Sequence, residues 1–295
     1  MPDAKVTCSE VKSDGKILND QEQEQVNRVK NIVHFACRCN KCAWLTIPPS
    51  FRNFKDWIDV SSQQNAVTIV FARVVTILGW LYLSGFIGYV IGSFPTAFLA
   101  VRWTKKAEIR KAGSGNVGVY NTYAVTGSRL IAFSVLILDV AKGALAVMFT
   151  DTFIGQGFVY LAAAALGAVL GHNFPVWLKF KGGRGLATAA GAALVLSWQL
   201  IVFWVVFWSA GFIMSRRVNI ANTIASALSL IGVLLLPGDF LRQIIIAEAQ
   251  VPHYKYFCTI LFGLILIKHI EPVQEYVNEI KNTKRLPEGS RDARA

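Results

Sequence analysis

Long segments without a charged residue are the feature of this sequence that most restricts its fold. Four of them, at residues 74–101, 152–171, 185–215 and 218–238, run for 20 residues or more without Asp, Glu, Lys or Arg. A helix needs about 20 apolar residues to cross the hydrocarbon core of a bilayer. Only 16% of the 295 residues are charged, whereas charged residues make up about a quarter of a soluble domain. We therefore predict an all-α membrane protein.

Two further segments are weaker candidates for membrane spans. Residues 130–150 are apolar except for Asp139 and Lys142, and the uncharged run 256–267 has only 12 residues. The shorter run crosses a bilayer only if the Lys255 side chain extends its ammonium group to the headgroups.

Basic residues predict the orientation of the spans, because Lys and Arg near the ends of spans stay on the cytoplasmic side. Seventeen of them lie in four segments, whereas the connections 151–156 and 237–255 hold only Arg242 and Lys255. The four basic segments are residues 102–129, 172–184, 216–217 and the tail from 268. The net charge of +12 is therefore attributed to membrane topology, and no nucleic-acid partner is predicted.

Placing all four basic segments in the cytoplasm requires residues 185–215 to cross the membrane twice. Helix over these 31 residues would extend about 46 Å, enough for two short spans with a turn near residues 197–199. The prediction is a polytopic bundle of about seven transmembrane helices, some short or broken, with the N-terminus outside.

Residues 1–73 are predicted to be an N-terminal, non-membrane extension, because they hold 18 of the 48 charged residues. Residues 74–275 form the membrane domain and 276–295 a polar cytoplasmic tail. The stretch 51–58 fits either an interfacial helix or a loop with scattered aromatic residues. Thiols and an imidazole that could bind zinc or an iron–sulfur cluster occur at His34, Cys37, Cys39 and Cys42. Their spacing matches no standard site, so plain thiols are favoured and no cofactor is predicted.

The first segment with the composition of a binding site is residues 113–121, which reads GSGNVGVYN. It contains the GxGxxG pattern of dinucleotide-binding proteins, but no strand precedes it, so that interpretation fails. Its glycines allow backbone N–H groups to converge on an anion, and Ser114, Asn116 and Asn121 add donors. A flexible loop is the alternative.

The second such segment is residues 171–185, in which Lys181, Gly182, Gly183, Arg184 and Gly185 precede an apolar run. The N-terminus of a helix carries partial positive charge, and a guanidinium binds phosphate through two parallel hydrogen bonds. A basic loop with turn glycines explains this segment equally well. Because both loops are predicted on one face, we favour a shared phosphate site.

Intramembrane charges and histidines complete the set of candidate groups. Asp139 and Lys142 are three residues apart on one predicted helix, so they are expected to pair as a structural clamp rather than to relay protons. His172 and His269 adjoin hydrophobic runs at the predicted cytoplasmic face and are candidate bases, although a lone histidine at a helix end is more often a cap or a hydrogen-bond anchor.

These motifs occur in an order that resembles the PlsY-type acyl-phosphate:glycerol-3-phosphate acyltransferases of bacterial inner membranes. The resemblance covers roughly residues 74–275. It rests on GSFP (92–95), IR (109–110), GSGNVG (113–118) with Asn121, LDVAKG (138–143), GHNFPVWLKFKGGRGLATA (171–189), SRRV (215–218) and KH (268–269).

The resemblance implies a seven-helix fold in which three cytoplasmic motifs form the active site. Members of the family transfer an acyl chain from acyl phosphate to the 1-hydroxyl of glycerol 3-phosphate, which gives lysophosphatidic acid. The implied motif residues are Ser114, Asn116, Gly118 and Asn121; His172, Pro175, Gly182, Gly183 and Gly185; and His269 and Glu271. We expect Ser114 and His269 to orient or deprotonate the hydroxyl. The other polar and glycine residues of the two loops, with Lys181 and Arg184, are expected to bind phosphate.

The sequence departs from the family pattern at several motif positions. Arg184 stands where the family usually has lysine, and Lys268 stands where it usually has arginine. Ala124 replaces an arginine, Pro272 an asparagine and Tyr120 a small residue. Ala124 and Pro272 leave open the alternative of a catalytically impaired membrane binding protein. The basic, glycine-broken segments, with Asp139 and Lys142 at membrane depth, leave open a small-anion transporter.

Overall fold

A computed structural model of the chain describes residues 66–155, 157–244 and 249–285. Within these ranges the secondary structure is helical and contains no strand, which confirms the predicted all-α fold. The proposed metal cluster from His34 to Cys42 and the possible interfacial helix at 51–58 lie outside the described residues. Contacts divide the chain into the units Met1–Arg73 and Val74–Ala295, and all packing described below lies within the second unit.

Eleven α-helices occur in the described ranges. They are α1 (Ala66–Gly92), α2 (Thr96–Lys105), α3 (Val119–Thr126), α4 (Arg129–Phe153), α5 (Phe158–Asn173), α6 (Leu186–Leu196), α7 (Trp198–Ser215), α8 (Val218–Leu235), α9 (Gly238–Ile244), α10 (Val251–Ile267) and α11 (Ile270–Arg285). Single 3-10 turns occur at Ile109–Lys111 and Val176–Leu178.

Five helical segments of the described chain are long and apolar enough to cross a membrane. They are Ala72–Lys105, Arg129–Phe153, Phe158–Leu178, Trp198–Ser215 and Val218–Leu235. Helices α10 and α11, bent by 47° at their junction, make a sixth if they count as one span. The predicted seventh corresponds to α6, whose 11 residues extend only about 16 Å.

The break that was predicted inside residues 185–215 is present, since α6 ends at Leu196 and α7 begins at Trp198. Helix α6 has only 11 residues because it ends at the break at Ser197. Its far end is marked by Ser197, whose hydroxyl lies 3.1 Å from the Tyr254 hydroxyl. The Tyr254 ring in turn contacts Phe158 at the start of α5.

The four basic segments meet at the opposite end of the bundle. A guanidinium N–H of Arg110 donates to the Leu178 carbonyl at 2.9 Å, which joins segment 102–129 to segment 172–184. The Arg184 guanidinium donates to the Asn219 amide oxygen at 2.6 Å, next to Arg216 and Arg217. The Lys268 ammonium lies 4.8 Å from the centre of the Phe174 ring. The prediction that these segments share one face is therefore confirmed.

Small residues allow the helices that carry the site to approach closely. A β-carbon added to Gly143 on α4 would lie 2.0 Å from the Thr188 carbonyl oxygen on α6, and one added to Gly191 would lie 1.8 Å from the Val140 oxygen. Helices α1 and α5 cross in the same way, through Gly88 and Gly92 on one helix and Gly167 and Gly171 on the other. Such contacts are typical of helix pairs in membranes.

Candidate active site

The first glycine-rich loop is held in shape by the side chain of Asn121. Its buried amide nitrogen donates to the carbonyls of Ile109, Ala112 and Asn116 at 2.9–3.2 Å, and its oxygen accepts from the Ser114 N–H at 2.8 Å. All its polar atoms are therefore used within the loop. Asn121 therefore shapes the loop, and its contact with substrate stays a prediction.

Glycines in this loop occupy conformations and spaces that other residues do not tolerate. Gly113 and Gly115 have φ values of +59° and +71°, and a β-carbon on Gly113 would lie 2.1 Å from the Asn121 amide oxygen. Gly118 precedes α3 as its N-cap residue, without a side-chain cap. Ser114 is exposed, whereas Asn116 is half-buried, so both are placed where a ligand could contact them.

Arg110 ties the two loops together and is not available as a free phosphate ligand. Its guanidinium donates to both Glu108 carboxylate oxygens, at 2.8 and 3.1 Å, as well as to Leu178. The hydrogen bond from Arg110 holds the pKa of the Glu108 carboxyl below its usual value. Arg110 therefore has a structural role.

The second loop folds back onto the end of α5. The N–H groups of Gly182 and Gly183 donate to the carbonyls of Asn173 and His172 at 3.2 and 3.1 Å. These two N–H groups thus bind protein carbonyls, and a phosphate contact at Gly182 and Gly183 stays a prediction. At the N-terminus of α6, Gly185 provides no side-chain cap. The first-turn N–H groups of a helix have no acceptor within it, so anion attraction is expected there.

His172 lies where the two loops and α4 meet. A β-carbon on Gly183 would be 2.1 Å from His172 Nε2 and 2.6 Å from the Val117 carbonyl oxygen, so these three residues are in contact. On the other side of the imidazole, His172 Nδ1 is 3.7 Å from an Asp139 carboxylate oxygen. His172 is almost fully buried and lines a crevice between the helices.

Asp139 and Lys142 form the ion pair that the sequence predicts, with 2.7 Å between Nζ and Oδ1. The same carboxylate oxygen accepts a hydrogen bond of 2.5 Å from the Thr96 hydroxyl. Sequence reasoning did not include Thr96 and did not link Asp139 to His172. The available signal was that a charge at bilayer depth requires partners, but the partners lie 33 and 43 residues away in sequence.

A small crevice runs beside these groups. It is lined by the turn between α1 and α2 and by Val117, Lys142, His172, Pro175 and Leu178. Ser114 does not line it, although the loop that carries Ser114 also supplies Val117. Among the predicted motif residues, His172 and Pro175 line the crevice.

A second cluster surrounds Arg184, which is partly buried before α6. Burial lowers the pKa of its guanidinium, while Glu271 and Glu275 oppose that shift. Lys268 is close enough to Arg184 to interact with it electrostatically. Lys181 is exposed nearby in the same loop. This cluster brings the second loop together with the junction between α10 and α11.

His269, the predicted base from the third motif, is completely buried at this junction. Its Nδ1 lies 2.8 Å from the Ile265 carbonyl oxygen, one helical turn earlier. Its Nε2 has no hydrogen-bond partner among the described residues. The imidazole thus anchors the end of α10 through one nitrogen, and it is less accessible to a ligand than His172.

Comparisons with known proteins agree with this arrangement. The family model described as glycerol-3-phosphate acyltransferase matches residues 82–279. Glycerol-3-phosphate acyltransferase 2 of Thermotoga maritima is 36% identical over 163 residues, which cover 55% of this chain and 82% of that protein. The glycerol-3-phosphate acyltransferase of Thermotoga petrophila is 31% identical over 201 residues, which cover 68% of this chain and 94% of that protein.

A solved structure is also similar. The crystal structure of PlsY, an integral membrane glycerol 3-phosphate acyltransferase, in its lysophosphatidic acid form gives a TM-score of 0.55 at 25% sequence identity, and the match covers 68% of this chain and 92% of that chain. The family match spans the first loop, the Asp139 and His172 region and the junction between α10 and α11. This chain is therefore an integral membrane protein of the glycerol-3-phosphate acyltransferase family.

Proposed function

We propose that this protein transfers a fatty acyl chain from acyl phosphate to the 1-hydroxyl of glycerol 3-phosphate, which gives lysophosphatidic acid and inorganic phosphate. The observation that carries the proposal is the meeting of Val117, His172 and Gly183 beside a crevice, next to the cationic cluster of Arg184 and Lys268. The relatives named above are glycerol-3-phosphate acyltransferases. The donor is inferred from the resemblance to the PlsY type.

Both substrates carry phosphate, so the site needs cationic groups more than strong bases. Arg184, the exposed Lys181 and the open N-terminus of α6 are the groups that hold phosphate in this proposal. Acyl phosphate is an activated mixed anhydride, and the protein mainly positions the hydroxyl and stabilises the developing negative charge. The new ester C–O bond forms, the bond between the acyl carbon and the phosphate oxygen breaks, and the hydroxyl proton ends on the released phosphate.

The acyl chain lies among the apolar helices in this proposal, and the bundle end that carries the loops faces the cytoplasm of a bacterial inner membrane, with the N-terminus outside. Support comes from the joining of all four basic segments at one bundle end, because basic loops stay on the cytoplasmic side. This one-sided arrangement speaks against the small-anion transporter, which needs access from both sides.

The departures from the family motifs are compatible with a folded site. Ala124 is exposed on α3, and Pro272 lies in the first turn of α11, where its missing N–H removes no helical hydrogen bond. Glu271 and Lys268 remain close to Arg184. A measurement of acyltransferase activity therefore distinguishes an active enzyme from a catalytically impaired binding protein.

The test is to incubate the purified full-length protein with labelled glycerol 3-phosphate and palmitoyl phosphate, and in parallel with palmitoyl-CoA. We expect labelled lysophosphatidic acid from the phosphate donor only. Product from palmitoyl-CoA alone would refute the donor, and no product from either donor would leave the binding protein as the better account.

A further inference from the structure

The turn that follows α5 holds two large residues in a backbone conformation that usually belongs to glycine. The Lys179 N–H donates to the Val176 carbonyl at 3.1 Å, and the Phe180 N–H donates to the Pro175 carbonyl at 3.0 Å. These are the two hydrogen bonds of a Schellman motif, whose left-handed residue is usually glycine. Lys179 and Phe180 nevertheless have φ values of +54° and +61°. An aromatic residue rarely adopts this strained conformation, and strained residues concentrate at functional sites.

This conformation keeps aromatic rings on the outside of the protein. Phe180 is 59% exposed and Trp177 is 65% exposed, and the Lys179 side chain between them is also exposed. The turn is held in place from its inner side, because Leu178 is buried and the Trp177 indole N–H donates to the Ser93 hydroxyl at 3.0 Å. The turn therefore presents two rings and one ammonium group to its surroundings.

The end of α2 presents the same combination of groups beside this turn. Leu178 belongs to one hydrophobic cluster with Ala97 and Val101 of α2, so the turn and the helix lie side by side. Near the end of α2, Trp103 is 74% exposed. Exposed basic residues surround it in sequence, at Arg102, Lys105 and Lys106.

These two elements form one surface of aromatic and basic side chains. We call it the aromatic-basic surface, and its members are Arg102, Trp103, Lys105, Lys106, Trp177, Lys179 and Phe180. No Asp or Glu occurs within residues 96–107 or 174–186, so the positive charge of the surface is not neutralised by acidic neighbours in these two segments. A surface of this kind attracts an anionic partner.

The level of the surface along the bundle indicates which partner it meets. The membrane-spanning segments Ala72–Lys105 and Phe158–Leu178 end within or next to it, so it lies where the chain leaves the hydrocarbon core. Tryptophan rings concentrate at this level of a bilayer. Anionic lipids of the cytoplasmic leaflet attract Lys and Arg residues next to the membrane. Lipid headgroups therefore fit both the rings and the charges.

We propose that the aromatic-basic surface docks on anionic phospholipids of the cytoplasmic leaflet. Its rings lie between the headgroups and the upper acyl chains, and its basic side chains bind headgroup phosphates. Lys181, which the proposed active site uses for substrate phosphate, is not part of this surface. Because Ser93 and Leu178 also line the crevice, the docked surface holds the crevice close to the headgroups. Docking of this kind does not depend on the proposed acyl transfer.

The test measures lipid binding to the purified full-length protein in detergent. Energy transfer from its tryptophans to dansyl-labelled phosphatidylglycerol gives a dissociation constant, and dansyl-labelled phosphatidylcholine is the zwitterionic comparison. We expect tighter binding of phosphatidylglycerol. Lys179→Gln should weaken that binding about fivefold, the effect of one lysine next to an anionic surface. The double variant Lys105→Gln, Lys106→Gln should weaken it about 10- to 30-fold. Unchanged affinity in both proteins would overturn the proposal.

Phe180→Asn tests the contribution of the ring without removing the turn. Asparagine accepts the left-handed conformation better than most residues, so the thermal midpoint in detergent should not fall. The affinity for phosphatidylglycerol should fall about 3- to 10-fold, because binding to a membrane surface scales with the apolar area that is buried. A lowered midpoint with unchanged affinity would show that the ring serves the fold, and it would overturn the proposal.

The matched controls lie at the opposite end of the bundle. Phe153 is 69% exposed and Arg242 is exposed, so Phe153→Asn and Arg242→Gln repeat these substitutions outside the aromatic-basic surface. Both should leave the affinity for phosphatidylglycerol unchanged, and losses equal to those at the surface would overturn the proposal.

Competition separates the proposed surface from the active site. Saturating glycerol 3-phosphate should not displace phosphatidylglycerol, because the substrate phosphate is assigned to other residues. Displacement would place the lipid in the substrate site and overturn the proposal. Equal affinity for phosphatidylglycerol and phosphatidylcholine would also overturn it, and a protein partner would then be the better account of the surface.

Discussion

Gly183 and His172 are in such close contact that no side chain fits between them. A β-carbon at residue 183 would lie 2.1 Å from Nε2 of the imidazole and 2.6 Å from the Val117 carbonyl oxygen. Real β-carbons do not approach other heavy atoms this closely, so the imidazole or the first loop must move. The juncture of the two loops therefore requires glycine at this position.

Gly183→Ala should consequently lower kcat/KM for glycerol 3-phosphate by about 100-fold or more, because a misplacement of about 1 Å in a catalytic site can cost that much. The matched control is Gly263→Ala on α10, where an added β-carbon meets no atom within 4 Å. Steady-state kinetics of both variants are the measurement. Equal activity of the two would show that the contact at residue 183 is unimportant.

Arg184→Ala should abolish turnover while the protein remains folded. The guanidinium is partly buried and hydrogen-bonded to Asn219, and loss of such a group from a charged contact costs about 2–5 kcal/mol of binding. Arg184→Lys keeps the charge and should retain measurable activity with a raised KM. Acyl transfer and the thermal midpoint in detergent are measured for both variants. Wild-type activity in Arg184→Ala would refute the phosphate-binding role.

Asn121→Ala should destabilise the protein and reduce its activity. The substitution leaves three carbonyls and the Ser114 N–H without this partner. The Ile109 carbonyl is the buried one, and leaving a buried group unsatisfied costs about 1–3 kcal/mol. Asn278→Ala, at an exposed position on α11, is the matched control and should alter the midpoint little. Thermal unfolding in detergent gives the comparison. A substrate-contact role alone would instead raise KM and leave the unfolding midpoint unchanged.

Lys142→Met should lower stability, because it leaves the buried Asp139 carboxylate without its counter-ion. Removing one partner of a buried ion pair costs about 3–5 kcal/mol. The double variant Asp139→Asn, Lys142→Met removes both charges and should recover part of that loss. Unfolding midpoints of the two proteins are compared under identical conditions. A double variant less stable than Lys142→Met would contradict this account of the pair.

The membrane character and the all-α fold could be predicted from the sequence, because uncharged runs of about 20 to 30 residues and the basic loops between them are local patterns. The same reasoning predicted the break at Ser197, because the basic residues 179–184 and 216–217 are expected on the same side of the membrane. It did not show that α4 and α6 cross in close contact. That depends on how Gly143 and Gly191 let two helices cross, which is a tertiary property.

The candidate site was predicted in outline but not in the roles of its residues. Sequence patterns located both loops and His172, but they assigned Asn121 and the N–H groups of Gly182 and Gly183 to ligand binding. The folded loops use these groups internally, because buried polar groups must be satisfied. The pairing of Asp139 with Thr96 and His172 joins positions 43 and 33 residues apart, which no local pattern indicates.

Accessibility labelling tests the central claim, that the two loops form one site on one side of the membrane. Single cysteines are introduced as Ser114→Cys, Lys181→Cys and, at the opposite bundle end, Thr152→Cys in a protein whose five native cysteines have been replaced. A membrane-impermeant maleimide is then applied to right-side-out and to inverted membrane vesicles. The account predicts that positions 114 and 181 react in inverted vesicles and position 152 in right-side-out vesicles. Reaction of positions 114 and 181 from opposite sides would contradict it.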